Sequence, residues 1–348
     1  MKKLLKGNLA IVEGAIAGGL DSYFGYPITP QNEITEYMSL RMREEGRIFL
    51  QAESELASIN MVLGTALTGK KSMTSSSSPG ISLMQEGFSY IVGCELPAVV
   101  VNVQRGGPGL GNISGAQGDY FQAVKGGGHG DYNIIVLTPG NVQEMYEMTR
   151  NAFELAFKYR TLVMILTDGV LGQLSEPLEI DVNIKKENTV EDLGWNLTGC
   201  KNRNSRFIRS LYMGEGELEY QNYKIAKRFE LAKQETAWEE KDTKDAKIVL
   251  VGYGTSARIN FDAYKEARNR GWEVGYFRLK TANPFPCDRI NELANNSKFL
   301  VVEMSLGQLV EDIRLYSKGK SDVEFYGRPG GGLPEVEEIL KRLEGMLK

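Results

Sequence analysis

Short apolar runs alternate with segments of helical periodicity along the first half of the chain. The apolar pattern predicts strands over 22–26, 47–50, 71–75, 97–103, 133–137 and 162–166, and helices over 8–18, 30–43, 53–68, 80–93 and 141–159. The run over 97–103 is rich in Val, which is typical of a strand buried on both faces. This alternation predicts an α/β fold with a doubly wound parallel sheet covered by helices on both faces.

The rhythm of strands and helices stops after residue 180 and returns near residue 245. Residues 181–244 are polar and carry charge clusters, which predicts a connector with one amphipathic helix over 223–236. Beyond it, strands over 248–253, 273–277 and 299–303 alternate with helices that end near residues 270, 316 and 347. We therefore predict an N-terminal domain over 1–180, the connector over 181–244, and a smaller α/β domain over 245–348.

The composition excludes several classes of function. With a formal net charge of -4, the chain has no basic excess that would favour nucleic acid as a partner. No apolar run approaches the length of a membrane span and the N-terminus does not resemble a secretory signal, so we expect a cytoplasmic protein with no membrane partner. The three cysteines lie far apart and His129 is the single histidine, so we expect no metal site built by this chain alone.

Two carboxylates follow the predicted strand over 47–50, where a helix begins. Glu55 falls in the first turn of that helix, and Glu53 lies two residues before it. Both could simply complement the positive end of the helix dipole. The same position is also the carboxyl end of a strand, where α/β proteins bind ligands. Both residues are therefore candidates for a catalytic carboxyl.

Further candidates lie where other predicted strands end. Thr29 stands between two prolines in the corner over 25–31, where it either caps a helix or faces a ligand. The serine-rich stretch over 74–80 leads into a helix whose first amides could bind an anion. Arg105 ends the Val-rich strand, where it either binds a planar carboxylate through two parallel hydrogen bonds or forms a structural salt bridge.

Two glycine-rich stretches follow the Val-rich strand. Residues 107–112 begin like a dinucleotide fingerprint, but they contain a proline and open into more loop rather than a helix, which argues against nucleotide binding. Residues 126–131 contain three consecutive glycines followed by His129. Such a stretch suits catalysis and a mobile loop or partner contact about equally, because glycine runs mostly reflect backbone demands.

Several of these stretches occur together in a specific order. They are Tyr26–Pro30 (YPITP), Glu53–Glu55 (ESE), Ser75–Gly87 (SSSSPGISLMQEG), Val103–Gly109 (VQRGGPG) and Gly127–Asp131 (GGHGD). Together they resemble the α subunits of the multi-subunit 2-oxoacid:ferredoxin oxidoreductases. Within that family they are most similar to the branched-chain, or 2-oxoisovalerate, type. The resemblance extends over essentially the whole chain.

The resemblance implies a thiamine diphosphate enzyme. It implies that the N-terminal part is a pyrimidine-binding domain and that the C-terminal part is a transketolase C-terminal-like domain. Glu55 matches the glutamate that hydrogen-bonds N1′ of the aminopyrimidine, where a carboxyl is needed to share a proton with the ring. By the same resemblance we expect Tyr26, Pro27 and Ser78 to contact the cofactor. Glu53 is the competing choice for the catalytic carboxyl, and Glu55 is preferred because it matches the family's glutamate and begins the helix.

The reaction implied by the resemblance is the oxidative decarboxylation of a 2-oxoacid. Thr29 and Arg105 match positions that contact this substrate, and Arg105 is expected to bind its carboxylate. An enzyme of the branched-chain type would convert 3-methyl-2-oxobutanoate and coenzyme A to an acyl-CoA, with the electrons passed to ferredoxin.

The resemblance also implies that other subunits complete the enzyme. Thiamine enzymes bind the diphosphate through Mg²⁺ with a Gly-Asp-Gly motif, and the nearest match here is Thr167–Gly169. The family carries that motif on a β subunit and its iron–sulfur clusters on other chains, with a γ subunit and a ferredoxin-like subunit as partners. We therefore expect this chain to share thiamine diphosphate with the β subunit, to hold neither Mg²⁺ nor a cluster, and to be inactive alone.

Three alternative functions remain open from the sequence. A 2-oxoglutarate:ferredoxin oxidoreductase would need an additional cation for the second carboxylate of its substrate. A β subunit of a lipoamide-linked 2-oxoacid dehydrogenase has the same domain order but transfers an acyl group to lipoamide. A non-catalytic scaffold subunit would leave Glu55 and Arg105 as surface salt-bridge residues.

Overall fold

Strands and helices alternate along both halves of the chain in the computed structural model, which describes residues 2–181 and 192–348. The N-terminal elements are β1 (Lys2–Lys6), α1 (Gly7–Ala17), β2 (Ser22–Gly25), α2 (Asn32–Glu44), β3 (Ile48–Gln51), α3 (Glu55–Leu67), β4 (Ser72–Ser76), α4 (Ser78–Gly93), β5 (Ala98–Gln104), α5 (Tyr120–Val124), β6 (Ile135–Leu137), α6 (Val142–Tyr159), β7 (Leu162–Asp168), α7 (Gly169–Gln173) and β8 (Ser175–Glu179). The C-terminal elements are α8 (Glu217–Ala232), β9 (Trp238–Lys241), β10 (Ile248–Gly252), α9 (Gly254–Asn269), β11 (Val274–Leu279), β12 (Thr281–Asn283), α10 (Cys287–Leu293), β13 (Lys298–Glu303), α11 (Leu309–Ser317), β14 (Val323–Gly327) and α12 (Val336–Leu347). Within these described ranges, no helix has both the length and the apolar character needed to cross a bilayer.

Seven strands form the larger sheet, in the order β12-β6-β7-β5-β4-β2-β3. Neighbouring strands are parallel except for β12, which pairs antiparallel with β6. The central Val-rich β5 is buried along its whole length. Val99 and Val101 belong to a core that includes α1, α2 and α6, whereas Ala98 and Val100 belong to a core that includes α3 and α4. Helices therefore cover both faces of the sheet.

Five strands form the smaller sheet, in the order β14-β13-β10-β11-β9. The strands β14, β13, β10 and β11 are parallel, and β9 pairs antiparallel with β11 at the edge. Along β10, Ile248 and Leu250 pack with α9 and α12, whereas Val249 and Val251 face a core that continues into the first sheet. The predicted fold class, a doubly wound parallel sheet followed by a smaller α/β unit, is therefore confirmed.

The predicted connector differs most from the observed structure. Its helix, expected over 223–236, is observed over Glu217–Ala232 and is preceded by Gly216 in the left-handed conformation. A 3-10 turn over Lys233–Glu235 follows the helix. The next element, β9, was expected to be part of the connector but is the edge strand of the smaller sheet. Residues 182–191 of the predicted connector lie outside the described residues.

Four strands outside the connector have no counterpart among the predicted ones: β1, β8, β12 and β14. β1 and β8 form a separate antiparallel pair, and β12 extends from the second α/β unit onto the edge of the first sheet. Two further hydrogen bonds support the pairing of β12 with the first sheet. Asn283 Nδ2 donates to Ile134 O at 2.9 Å, and Thr138 N donates to Lys280 O at 2.9 Å. The two α/β units are thus joined through a shared sheet as well as through side chains.

Candidate active site

The predicted site residues follow strands that are neighbours in the larger sheet. The strands β5, β4, β2 and β3 lie side by side and run parallel, so their carboxyl ends meet at one edge. The predicted site residues are Tyr26, Pro27 and Thr29 after β2, Glu55 after β3, Ser78 after β4, and Arg105 after β5. The topology thus gathers at one edge residues that are far apart in the sequence.

Glu55 is the first residue of α3, and it is buried. Its exposed fraction is 5%, and within residues 2–181 and 192–348 its carboxylate has no hydrogen-bond or ion-pair partner. Ser54 caps the helix beside it, because its Oγ accepts a hydrogen bond from Ala57 N at 3.2 Å. A buried carboxyl without a partner is costly for the fold. In the first turn of α3 its charge is favourable next to the positive end of the helix dipole, and a ligand that hydrogen-bonds it would offset the cost of its burial.

The structure separates the two carboxyls that compete in the sequence. Glu55 packs against Gly80 and Ser76, at the start of α4 and the end of β4. Glu53 is exposed and accepts a hydrogen bond from the neighbouring Ser54 Oγ at 3.4 Å. Of the two carboxyls, Glu55 is thus the enclosed one and Glu53 the exposed one, and the catalytic role of Glu55 stays a prediction.

Arg105 and Thr29 are in direct contact. Arg105 Nη1 donates to Thr29 O at 2.9 Å, and Nη2 donates to Leu110 O at 3.0 Å. The arginine is 7% exposed, and its Nε is buried without a partner. Among the described residues no carboxylate pairs with it, so the structural salt bridge considered from the sequence is not seen. A buried guanidinium held only by carbonyl groups can still attract an anion.

The Ser78 hydroxyl is already engaged by other groups of the chain. Its Oγ donates to Asp119 Oδ2 at 2.5 Å and accepts a hydrogen bond from Arg105 N at 3.0 Å. Asn102 Nδ2 also donates to Asp119 Oδ2, at 2.9 Å. Burial raises the pKa of Asp119, although these two hydrogen bonds oppose the shift. Ser78 is thus well placed to fix the backbone at Arg105, and direct contact with a cofactor stays a prediction.

The corner that carries Tyr26 and Pro27 is exposed, and buried side chains hydrogen-bond to it. Gln31 Nε2 donates to Tyr26 O at 3.0 Å, and Gln31 Oε1 accepts a hydrogen bond from Ser75 Oγ at 2.7 Å. Ser75 Oγ lies 2.6 Å from Tyr23 Oη, and burial raises the pKa of that phenol to about 12. A buried polar network therefore fixes the corner.

Gln31 and Asp119 are supporting residues that the sequence analysis does not single out. Gln31 lies at the end of the predicted corner, and Asp119 lies within a long predicted loop. Each acquires its role from a contact with a distant strand, since Gln31 binds Ser75 on β4 and Asp119 is bound by Asn102 on β5. An Asp next to a Gly, as in Gly118-Asp119, is the one local signal, and it equally describes a turn.

Asp168, in the nearest match to the diphosphate motif, is used to join the two α/β units. Its Oδ1 accepts hydrogen bonds from Val170 N at 3.0 Å, Leu171 N at 3.1 Å and Thr255 Oγ1 at 2.7 Å. Thr255 N donates to its Oδ2 at 3.3 Å. Burial raises the pKa of Asp168, with these hydrogen bonds opposing the shift. The carboxylate is therefore engaged in hydrogen bonds within the chain.

His129 lies on the surface beside α4. Its Nδ1 is 3.5 Å from Ser89 Oγ, and its ring meets Tyr90 edge-on. The glycines before it are held in place, since Gly127 N donates to Gln85 Oε1 at 3.1 Å. In the described part of the chain, no group of three or more His, Cys, Asp or Glu side chains converges on a point as metal ligands would.

Comparison with known proteins identifies the family. Residues 13–206 match the model described as pyruvate flavodoxin/ferredoxin oxidoreductase, thiamine diphosphate-binding, and residues 246–339 match pyruvate:ferredoxin oxidoreductase core domain II. The chain belongs to the 2-oxoacid:ferredoxin oxidoreductases. The resemblance inferred from the sequence motifs is therefore confirmed.

Individual relatives match nearly the full length of this chain. It is 48% identical over 346 residues to the ketoisovalerate oxidoreductase subunit VorB of Methanothermobacter thermautotrophicus, covering 98% of this chain and 97% of that protein. It is 35% identical to the 2-oxoglutarate synthase subunit KorA of Methanothermobacter marburgensis, covering 98% of each. Among solved structures, the 2-oxoglutarate:ferredoxin oxidoreductase of Magnetococcus marinus is similar with a TM-score of 0.87 and 26% identity.

The comparison with solved structures also supports the predicted fold class. The match to the Magnetococcus marinus enzyme covers 100% of this chain and 65% of that chain. A split-gene transketolase is similar in fold alone, with a TM-score of 0.60 at 14% identity, and the match covers 98% of this chain and 96% of that chain. The transketolase-like arrangement expected from the sequence is thus confirmed at the level of fold.

Proposed function

We propose that this chain is the α subunit of a thiamine diphosphate-dependent enzyme that oxidatively decarboxylates 3-methyl-2-oxobutanoate. The products would be carbon dioxide and the branched acyl-CoA, with two electrons passed to ferredoxin. The observation that carries the proposal is the Glu55 carboxyl, which is buried at the start of α3 without a partner among the described residues. An aminopyrimidine ring with a hydrogen-bonding nitrogen would satisfy it.

Glu55 would hold the pyrimidine end of the cofactor. The chemistry that thiamine diphosphate supplies when bound is an electron sink for the loss of carbon dioxide from a 2-oxoacid. The part of Glu55 is to hold a proton at a carboxylate oxygen facing N1′ of the ring. Tyr26 and Pro27, on the exposed corner after β2, are proposed to contact the cofactor from the neighbouring strand end.

Arg105 and Thr29 would orient the substrate. Burial and the two carbonyl groups fix the position of the guanidinium, while its charge is not matched by a carboxylate among the described residues. A 2-oxoacid carboxylate would supply the missing negative charge. Because Arg105 Nη1 binds the carbonyl oxygen of Thr29, the exposed Thr29 side chain lies close to where this carboxylate would bind.

Other subunits would supply the rest of the active site. Asp168 is engaged in contacts within the chain, which supports the proposal that a β subunit carries the diphosphate and Mg²⁺ motif. We propose that the iron–sulfur clusters belong to a ferredoxin-like partner, and that a γ subunit and ferredoxin complete the system. The cytoplasm is the proposed location, because the three cysteines are free thiols and thiols persist in a reducing compartment.

The branched-chain substrate is favoured over 2-oxoglutarate by sequence similarity. The VorB relative shares 48% of its residues with this chain, whereas the KorA relative shares 35%, at nearly equal coverage. Lipoamide-linked transfer and a scaffold role are disfavoured, since both family matches describe ferredoxin oxidoreductases and Glu55 is buried rather than paired on the surface.

The test is a substrate panel on the complex purified with its partner subunits. We expect coenzyme A-dependent reduction of ferredoxin with 3-methyl-2-oxobutanoate, at a kcat/KM above those for pyruvate and 2-oxoglutarate. The same complex lacking this chain, and this chain alone, should both be inactive. A preference for 2-oxoglutarate would replace the substrate assignment, and inactivity of the complete complex with every 2-oxoacid would overturn the function.

A further inference from the structure

The loop over 106–115, which follows Arg105, carries two strongly exposed apolar side chains. Leu110 is 84% exposed and Ile113 is 63% exposed. Single apolar side chains are ordinary on protein surfaces, so exposure alone does not indicate a role. Leu110 differs because its backbone carbonyl accepts a hydrogen bond from Arg105 Nη2 at 3.0 Å. It is thus joined directly to the group proposed to bind the substrate carboxylate.

The 106–115 loop is held in one conformation. Asn112 N donates to Gly106 O at 2.9 Å across the loop. Gly111 has a φ of 57°, and a Cβ there would lie 1.7 Å from Gly106 O, so no other residue fits without a shift of the backbone. Asn112 Nδ2 donates to Gly330 O at 2.7 Å, which anchors the loop to the second α/β unit. Leu110 therefore lies on a fixed support.

The dimensions of a 2-oxoacid bring its side chain close to the 106–115 loop. The carboxylate carbon and the first side-chain carbon are two bonds apart, which is roughly 2.5 Å, and the methyl carbons of the branched side chain are three bonds from the carboxylate carbon, which is roughly 3–4 Å. A substrate whose carboxylate binds Arg105 therefore places its side chain beside the residues around the guanidinium. Two residues bind that guanidinium through their carbonyl groups, the polar Thr29 and the apolar Leu110.

We propose that Leu110 is a specificity-determining residue that contacts the branched apolar side chain of the 2-oxoacid. The inference rests on the proposed function, because it requires a 2-oxoacid carboxylate at Arg105. Apolar contacts of this kind discriminate between substrates by about 10–200-fold for each methylene group. The second carboxylate of 2-oxoglutarate would instead meet an apolar side chain and lose hydration there, which disfavours that substrate.

The test measures kcat and KM on the complex assembled from all subunits, with saturating coenzyme A and ferredoxin. The substrates are 3-methyl-2-oxobutanoate, pyruvate and 2-oxoglutarate. We expect Leu110→Ala to lower kcat/KM for the branched substrate by about tenfold, mainly through KM, and for pyruvate by less than about twofold. Leu110→Arg adds a cation, so we expect it to raise the ratio of 2-oxoglutarate to branched-substrate turnover by about tenfold or more.

The control is Leu218→Ala, which removes the same side chain from an exposed position on α8. It should leave every substrate ratio unchanged. Unchanged ratios in both Leu110 variants, or an equal loss for all three substrates, would overturn the role of Leu110 while the proposed function stands. If the unaltered complex converts none of the three substrates, the proposed function fails and the inference fails with it.

Discussion

A Cβ atom added to Gly80 would lie 2.4 Å from Oε1 of Glu55 and 2.0 Å from Oγ of Ser76. Both distances are far shorter than carbon–oxygen contacts in packed proteins. The bare backbone at the start of α4 therefore makes room for the carboxylate at the start of α3. Residue 80 decides where the candidate catalytic carboxyl lies, although it carries no functional group itself.

Gly80→Ala should displace the Glu55 carboxylate and remove most of the activity. A misplacement of about 1 Å at a reacting group costs about 10²-fold in rate, and we expect a loss of that order in kcat. The measurement is 2-oxoacid-dependent ferredoxin reduction by the assembled complex. The control is Gly64→Ala on α3, where no atom lies within 4 Å of the added Cβ. Gly64→Ala should keep full activity and stabilise the helix by roughly 0.5–1 kcal/mol; full activity in Gly80→Ala would contradict the prediction.

Glu55→Ala should abolish decarboxylation without preventing assembly. Losing a group that shares a proton in the reaction typically costs about 10²–10⁴-fold, and Glu55→Gln should lose as much because an amide cannot hold that proton. Glu53→Ala, two residues away and exposed, is the matched control and should stay active. Since Glu55 has no partner among the described residues, its removal should not lower the melting temperature of the chain through a lost ion pair. Most of the activity remaining in Glu55→Ala would reject its role.

Arg105→Lys should raise KM for the 2-oxoacid more than it lowers kcat. Lysine keeps the charge but cannot bind two carbonyl groups and a carboxylate in the fixed geometry of the guanidinium. A hydrogen bond to a charged group contributes about 1.5–3 kcal/mol, and each 1.4 kcal/mol is about tenfold in affinity, so a rise in KM of tenfold or more is expected. Arg43→Lys, on the exposed face of α2, is the control. An unchanged KM with reduced kcat would indicate that Arg105 does not bind the substrate.

The sequence predicts the elements of the fold well where the hydrophobic period is strong. The strand over 97–103 is observed as Ala98–Gln104, and the helix over 141–159 as Val142–Tyr159. The prediction misses β12, because a strand of three residues is too short to show a hydrophobic period. It also fails for β9, whose charged sequence WEEK resembles a connector. That strand is partly exposed at a sheet edge, where pairing with β11 and not burial decides the structure.

The candidate site is predictable as a set of residues, but its supporting contacts are not. Strand ends in a parallel sheet meet at one edge, which makes Thr29, Glu55 and Arg105 separate candidates from the sequence, and the family resemblance is what groups them into one site. The resemblance favours Glu55 over Glu53, whereas the enclosure of Glu55 against Gly80 depends on the position of α4. The contact of Leu110 O with Arg105 likewise depends on how the 106–115 loop folds back, and no period or spacing encodes that.

Glu144→Gln should weaken the junction between the two α/β units. The carboxylate on α6 accepts two hydrogen bonds of 2.7 Å from the guanidinium of Arg278 on β11, and both side chains are largely buried. Breaking a buried pair leaves an uncompensated charge and typically costs about 3–5 kcal/mol. We expect the lower end of that range, because Arg278 also pairs with Glu239. Chemical denaturation of the purified chain measures it, with the exposed Glu147→Gln on the same helix as control.

The same pair should make the stability of the chain sensitive to acid. Burial opposes the charged form of Glu144, but the hydrogen bonds and charge of Arg278 outweigh it and lower the pKa of Glu144 from 4.5 to about 2. Since the pKa is lower in the folded chain, this stabilisation is complete above pH 4.5 and is lost as the pH falls towards 2. At 1.36 kcal/mol for each pKa unit, it is on the order of 3 kcal/mol. The free energy of unfolding should therefore fall more steeply between pH 5 and pH 3 in the unaltered chain than in Glu144→Gln, and equal slopes would show that Glu144 is not the responsible group.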